Sequence, residues 1–260
     1  MNMTTHIAFS KKDKLSNPVL FVGLPGIGLV GKICVDYFLK QFKTELLAEI
    51  YSDSFPPAVH TKQGEIELIK DQLFSFKHGK RHVLFLAGPV QPSLDFRTGS
   101  GEQHYDFAET IIQTVKKLGV KQVYTLAGIN IGDKRMGKQP NVVVAATNKK
   151  ILEEFKVLGA KSDQKEGLIS GAAGLLLGIA QQHGLEGACL MGETNAKLVY
   201  GDHGAAKKLI ELLVKKFSFK VNMQDIEREA KNIEAAFEKL TRQFEEVEEK
   251  MPADGPSYVR

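Results

Sequence analysis

The 260-residue sequence has no apolar run near the roughly 18 residues that a membrane-spanning helix needs. Its N-terminus carries no apolar segment of the signal-peptide kind. It has only two cysteines, Cys34 and Cys189, each inside an apolar run, so both thiols are expected to be buried and reduced. The seven histidines (His6, His60, His78, His82, His104, His183, His203) fall at no spacing that joins them to cysteines or carboxylates around a metal. There is no G-x-S-x-G elbow for a serine hydrolase, and Ser170-Gly171 opens a helix instead. The formal charge of +4 is too small to argue for nucleic acid. What remains is a non-membrane protein expected in the cytoplasm, with no nucleic-acid partner, no metal and no cofactor.

What the sequence does have is a glycine-rich turn between two apolar stretches. From Asn17 to Val35 it reads NPVLFVGLPGIGLVGKICV. A β-branched and aromatic run, Val19 to Val22, breaks at Gly23, Gly26, Gly28 and Gly31, and an apolar-periodic helix follows. Strand, glycine turn and helix open an α/β domain.

Further along, solid apolar strands alternate with helices. Strands are expected at 6–9, 19–22, 45–51, 83–89, 122–128, 142–147 and 187–194. Three short β runs around 58–61, 65–69 and 72–77 suggest a hairpin-rich edge or flap. Helices are expected at 29–42, 101–118, 148–158 (with Asn148 as its cap), 171–182 and 203–217. Continuous apolar strands separated by helices predict a mainly parallel sheet covered on both faces. The α/β domain is expected to span residues 1–221.

The glycine turn satisfies two phosphate-binding patterns. Gly26, Gly28 and Gly31 match G-x-G-x-x-G, and Glu49 falls at about the distance of a ribose-binding acid. Gly26, Gly31 and Lys32 match G-x-x-x-x-G-K, but Ile33 stands where a P-loop needs Ser or Thr for magnesium. Pro25 removes a backbone donor, and Leu29 and Val30 are core-like. Two readings stay open: a tight structural turn, or a nucleotide or dinucleotide site built on Gly26, Gly28, Gly31 and Glu49. Asp95, Arg97, Glu102, His104 and Asp106 follow a buried strand, where α/β active sites often lie, yet such a group also reads as a solvated face. Lys134, Arg135 and Lys138 could grip an acidic partner or a phosphate, but read more readily as solvated loop charge.

The last fifth differs in kind. Ile226, Ala230, Ile233, Phe237, Leu240, Phe244, Val247 and Met251 recur at alternating spacings of three and four, a heptad seam. From Asp225 to Lys250 there are nine acids and five bases, so this segment is net −4 in a chain that is net positive. A helix over 222–251 is expected, packing on a partner or a second copy, or else folding back on its own domain, followed by a tail at 252–260 after Pro252.

Six stretches then stand together in order: LPGIGLVGK, FLAGPVQP (85–92), VYTLAG (123–128), AATN (145–148), ISGAAGLLLG (169–178) and LMGET (190–194). In this the chain resembles archaeal proteasome-assembly-chaperone-like proteins over about residues 17–240. The resemblance implies a three-layer α/β sandwich related to nucleoside phosphorylases. It implies a non-enzymatic chaperone that forms homo-oligomers and meets proteasome α subunits. Some members end in hydrophobic–Tyr–any residue, a tail that inserts between α subunits. Here Tyr258, Val259 and Arg260 close the chain, with Tyr258 third from the end and preceded by Ser257, so the pattern is shifted by one.

Overall fold

In chain order the elements are β1 (His6–Phe9), β2 (Val19–Gly23), α1 (Val30–Gln41), β3 (Glu45–Tyr51), β4 (Val59–Lys62), β5 (Glu65–Leu68), β6 (Asp71–His78) and β7 (Arg81–Ala87). Then follow α2 (Gly101–Lys117), β8 (Gln122–Asn130), β9 (Val142–Ala146), α3 (Lys149–Val157), α4 (Gly171–Gln182), β10 (Glu186–Thr194) and α5 (His203–Phe217). The structure, a computed structural model, describes residues 5–11, 14–92, 101–136, 138–162, 166–232 and 235.

Eight strands form one sheet in the order β1-β3-β6-β7-β2-β8-β10-β9. Its centre, β7-β2-β8-β10, is parallel, as the solid apolar runs predict. The flanks are not. β1, β3 and β6 pair antiparallel on one side and β9 pairs antiparallel with β10 on the other, so the sheet is mixed rather than mainly parallel. On the β6 side the cause is local. β6 and β7 are joined by the two residues Gly79-Lys80, with Gly79 at φ 59°, and a two-residue link can only make a hairpin.

The short β runs divide between two fates. β6 enters the main sheet, while β4 and β5 form a separate two-stranded hairpin whose eight residues are all exposed. Gln63 and Gly64 both have positive φ (52° and 87°), the arrangement a tight type I′ turn requires.

Helices cover both faces. α1, α3 and α5 share one core with one side of the sheet, and α2 and α4 share another with the opposite side, which makes three layers. Asn148 caps α3 as expected, its side chain accepting from the Ile151 N–H at 2.9 Å. The first core is rich in rings. Phe21 stacks near Tyr124 and meets Phe217 edge-on at 4.9 Å, and Phe38, Phe42, Phe76, Phe85 and Phe219 complete the group. Each such pair adds about 0.5–1.5 kcal/mol beyond the area it buries.

That core reaches past residue 221. Residues 224–232 are helical, and Ile226 is buried among side chains of α1 and α5. Asn222 accepts a hydrogen bond from the Tyr37 hydroxyl and donates its N–H to Gln41 Oε1 at 3.0 Å. The first two seam positions, Ile226 and Ala230, are therefore buried on their own domain rather than offered to a partner. The three-and-four spacing is shared by a core face and by a coiled-coil seam, so spacing alone cannot tell which of the two a position serves. Ile233, Phe237, Leu240, Phe244, Val247 and Met251 lie outside the described residues, as do Tyr258, Val259 and Arg260.

Candidate functional site

β2, β8 and β10 run parallel, and their carboxyl ends meet the glycine turn, the place where open α/β sheets usually bind ligands. The turn itself is filled by the protein. A Cβ on Gly31 would lie 2.0 Å from the Leu126 carbonyl oxygen, so this glycine lets α1 approach β8. Gly28 takes φ 61° and has Thr194 Oγ1 2.5 Å from where a Cβ would stand, and its carbonyl accepts the Asp202 N–H at 2.8 Å. Gly26, extended at φ −162°, has nothing near it. Lys32, the lysine of the P-loop pattern, pairs with Asp36 one turn along its own helix at 2.7 Å.

Glu49 is not available to this turn. It sits on β3, with β6 and β7 between β3 and β2, and neighbouring strands are about 4.8 Å apart. Its carboxylate is held below its ordinary pKa, first by a hydrogen bond from Lys70, which it pairs at 2.6 Å, and it also accepts from Tyr51. A dinucleotide fold needs its acidic strand beside the glycine strand. Here β6 and β7 stand between the two strands, so the ribose role considered for Glu49 is overturned.

Behind the turn lies a fully buried ion pair. Arg135, expected as solvated charge, has no exposed surface. Its Nε and Nη2 donate to the two carboxylate oxygens of Asp202 at 2.8 and 2.9 Å, and Nη1 donates to the Lys138 carbonyl at 3.0 Å. Asp202 also accepts from Thr194 Oγ1 and from the Ala205 N–H, both at 2.9 Å, the second being the cap of α5. Four donors on two oxygens leave this carboxylate satisfied, with no spare valence for a ligand. The pair joins the loop after β8, the end of β10, the start of α5 and the glycine turn. Sequence reasoning missed it. The available signal was Asp202, an acid immediately before an apolar-periodic helix, which marks a cap but not the arginine it serves.

Beside the turn an open cleft of about 530 Å³ remains. Leu24, Ile27, Leu126, Ile129, Val143 and Met191 give it apolar walls, and the first residues of α4 form one rim. Gln91 Oε1 already accepts the Ala172 N–H there at 3.2 Å.

The remaining candidates disperse. Glu102 is exposed, and Asp106 accepts the Thr5 N–H at 2.8 Å, while Asp95 and Arg97 lie outside the described residues. His183 pairs with Glu109 at 2.6 Å, and His82 Nδ1 accepts the Ser16 N–H. Among the described residues there is no group of metal-ligating side chains, and no helix long and apolar enough to cross a membrane. Both cysteines are buried, and burial raises their thiol pKa values, that of Cys189 to about 11. Asp71 is a separate oddity. It is fully buried against Gly88, its carboxyl oxygens have no well-formed hydrogen-bond partner, and burial pushes its pKa well up against weaker pulls from the Val90 N–H and Lys32.

The arrangement is one of structural locking beside an apolar cleft, and comparison with known proteins agrees on what it belongs to. The model of the PAC2 family matches residues 20–241. The chain belongs to the PAC2 family. It is similar to Pyrococcus furiosus PbaB, described as an archaeal proteasome activator, with a TM-score of 0.81 and 27% identity over 92% of this chain and 99% of that one. It is also similar to P. furiosus PbaA, described as an archaeal homolog of proteasome-assembly chaperone, with a TM-score of 0.71 and 25% identity over 95% and 96% of the two chains. The uncharacterized protein MJ1210 of Methanocaldococcus jannaschii is 33% identical over 246 residues, 94% of this PAC2 chain and 91% of that protein. The resemblance drawn from the six motifs is thereby borne out, and the α/β fold with it, while the mainly parallel sheet gives way to the mixed one and the long helix over 222–251 is not supported.

Proposed function

We propose that this PAC2 protein is a non-enzymatic chaperone or adaptor that assists assembly of the 20S proteasome in the cytoplasm, binding α subunits as a homo-oligomer. One observation carries the reading: likeness to PbaB and PbaA runs through nearly the whole of each chain rather than through one motif. The glycine turn supports it from the other side, because Gly28 and Gly31 are pressed against the protein's own atoms, the Leu29 N–H is bonded within the turn and Lys32 is paired with Asp36. The tail with Tyr258, Val259 and Arg260 adds a small anchor, and several copies in one oligomer add their weak contacts. The test is co-purification of the full chain with archaeal proteasome α subunits, compared with a chain lacking residues 252–260. Retention that weakens on truncation supports both roles, undiminished retention removes the tail's role, and no retention overturns the chaperone reading.

The cleft favours a second reading, a sensor for a nucleotide or related small molecule. Calorimetric titration of the full chain with NAD, ATP and nucleosides is expected to show no saturable binding, and a micromolar affinity would reverse the ranking of the two.

A further inference from the structure

At the opposite end of the sheet, beyond the amino ends of the parallel strands, lies a second depression of about 820 Å³. Its floor is aromatic: Phe42 and Phe76 stack with ring centroids 4.3 Å apart and are only half-buried. Its rim is basic, formed by Lys14, Lys43, Lys77 and Lys220, all exposed. None of these four lysines has a carboxylate within ion-pair distance among the described residues. The one acid in the lining, Glu45, is engaged by Lys11 at 2.8 Å, and that hydrogen bond holds its pKa down. Four ammonium groups without an ion-pair contact, of which Lys43 alone lies near enough to Glu45 to help lower its pKa, surround an apolar floor and suit a segment that alternates carboxylates with large apolar side chains.

The chain contains such a segment. Residues 243–249 read QFEEVEE, four glutamates around Phe244 and Val247, in the stretch that carries the net charge of −4. The described part of the C-terminal helix leads away from its own groove. Lys220 lies just beyond the end of α5, whereas Glu227 has reached Lys207, near the start of α5, at 3.9 Å. The helix from 224 thus runs antiparallel to α5, and each residue carries it about 1.5 Å further toward the glycine-turn end. A chain with an acidic C-terminal segment in its sequence and a basic groove on its folded domain is complementary in charge to a second copy of itself.

We propose that the Lys14–Lys43–Lys77–Lys220 groove receives the acidic segment 243–249 of a second copy of this chain. The proposal deepens the homo-oligomer part of the reading above and rests on it. Contact between two different surfaces closes into a ring when the rotation permits and otherwise continues as an open chain. Rim charges of this kind are screened by salt, so the association is salt-sensitive.

The test uses the full chain in two charge-reversed forms. One carries Lys43→Glu, Lys77→Glu and Lys220→Glu, and the other carries Glu245→Lys, Glu246→Lys, Glu248→Lys and Glu249→Lys. Sedimentation velocity follows each alone and the two mixed, at about 50 mM and about 500 mM salt. Thermal unfolding of the core checks that both remain folded. Each variant alone is expected to associate about tenfold or more weakly than the original chain. The equimolar mixture is expected to recover association, because each reversed groove then meets a reversed segment. Undiminished association of both variants overturns the proposal. So does a mixture that fails to recover, which is also the result if a chain's segment fills its own groove. Loss of α-subunit retention with self-association intact overturns it as well and assigns the groove to an acidic partner. A monomeric original chain overturns both this proposal and the homo-oligomer, while α-subunit retention still tests the chaperone role independently.

Discussion

The two ends of the central sheet are built on opposite principles. At the carboxyl end the buried pair and the turn's lysine are answered from within, Arg135 by Asp202, Asp202 by four donors and Lys32 by Asp36, and the one unanswered carboxyl, Asp71, is sealed from solvent. At the amino end four lysines stand around exposed aromatic rings without ion-pair partners. The end that carries the suggestive sequence pattern is the closed one, and the end with no motif is the one left unsatisfied. Glycine spacing reports where backbones come close. It does not report whether what comes close is a ligand or the protein itself.

The sharpest way to break this contrast is at the buried pair. Asp202→Ala leaves the Arg135 guanidinium buried without its counter-charge, and a loss of about 3–5 kcal/mol in urea unfolding is expected. The double replacement Arg135→Met with Asp202→Leu should cost clearly less than the single one, since no charge is stranded. A single-variant loss under about 1 kcal/mol would mean that this end is not locked as described.

Next come the glycines. Gly31→Ala drives a methyl into the Leu126 carbonyl and should cost about 1–3 kcal/mol, whereas Gly26→Ala, extended and uncrowded, should stay within about 0.5 kcal/mol. Equal costs at the two positions would contradict a purely structural turn.

Asp71→Asn should raise stability at neutral pH by about 1 kcal/mol. The sign follows from the raised pKa. Between its unfolded and folded values Asp71 binds more proton in the folded state, so the native chain loses stability as pH rises through that window. The advantage of the Asn variant should therefore shrink toward pH 4 and grow above it, read by thermal unfolding across pH. A constant offset would place the cause elsewhere.

The smallest effect belongs to the amino end. Lys43→Glu and Lys77→Glu break no ion pair, and each should change stability by less than about 0.5 kcal/mol. Large losses there would erase the difference between the two ends.

Much of this fold was legible because its signals are local. Val19–Val22, the 83–87 run and the stripe through Phe107, Ile111 and Ile112 declare strand and helix by themselves, and Asn148 declares its cap. What the sequence left open depends on which distant pieces meet. Arg135 and Asp202 are 67 positions apart and join only because β8 and β10 are neighbours. Glu49 has the right spacing along the chain and the wrong place in the sheet. Ile226 continues a heptad in sequence while belonging to the core in space. The basic groove gathers lysines from four separate stretches, and no window of sequence contains it.

The aromatic contacts of Phe21 carry a consequence for how the molecule is made. Phe21 lies on the second strand to leave the ribosome, yet its edge-on partners Phe217 and Phe219, and Ile226 of the same core, all come after the last strand. While the chain is being synthesised, the first half of the sheet has only α1 over this face, and the rings that Phe217 and Phe219 later cover stay open to water and to other nascent chains. Closure of this part of the core waits for residues 217–226, contacts of long sequence separation that are slow to form. A protein proposed to guard the assembly of others thus spends its own synthesis exposed until almost its last residues.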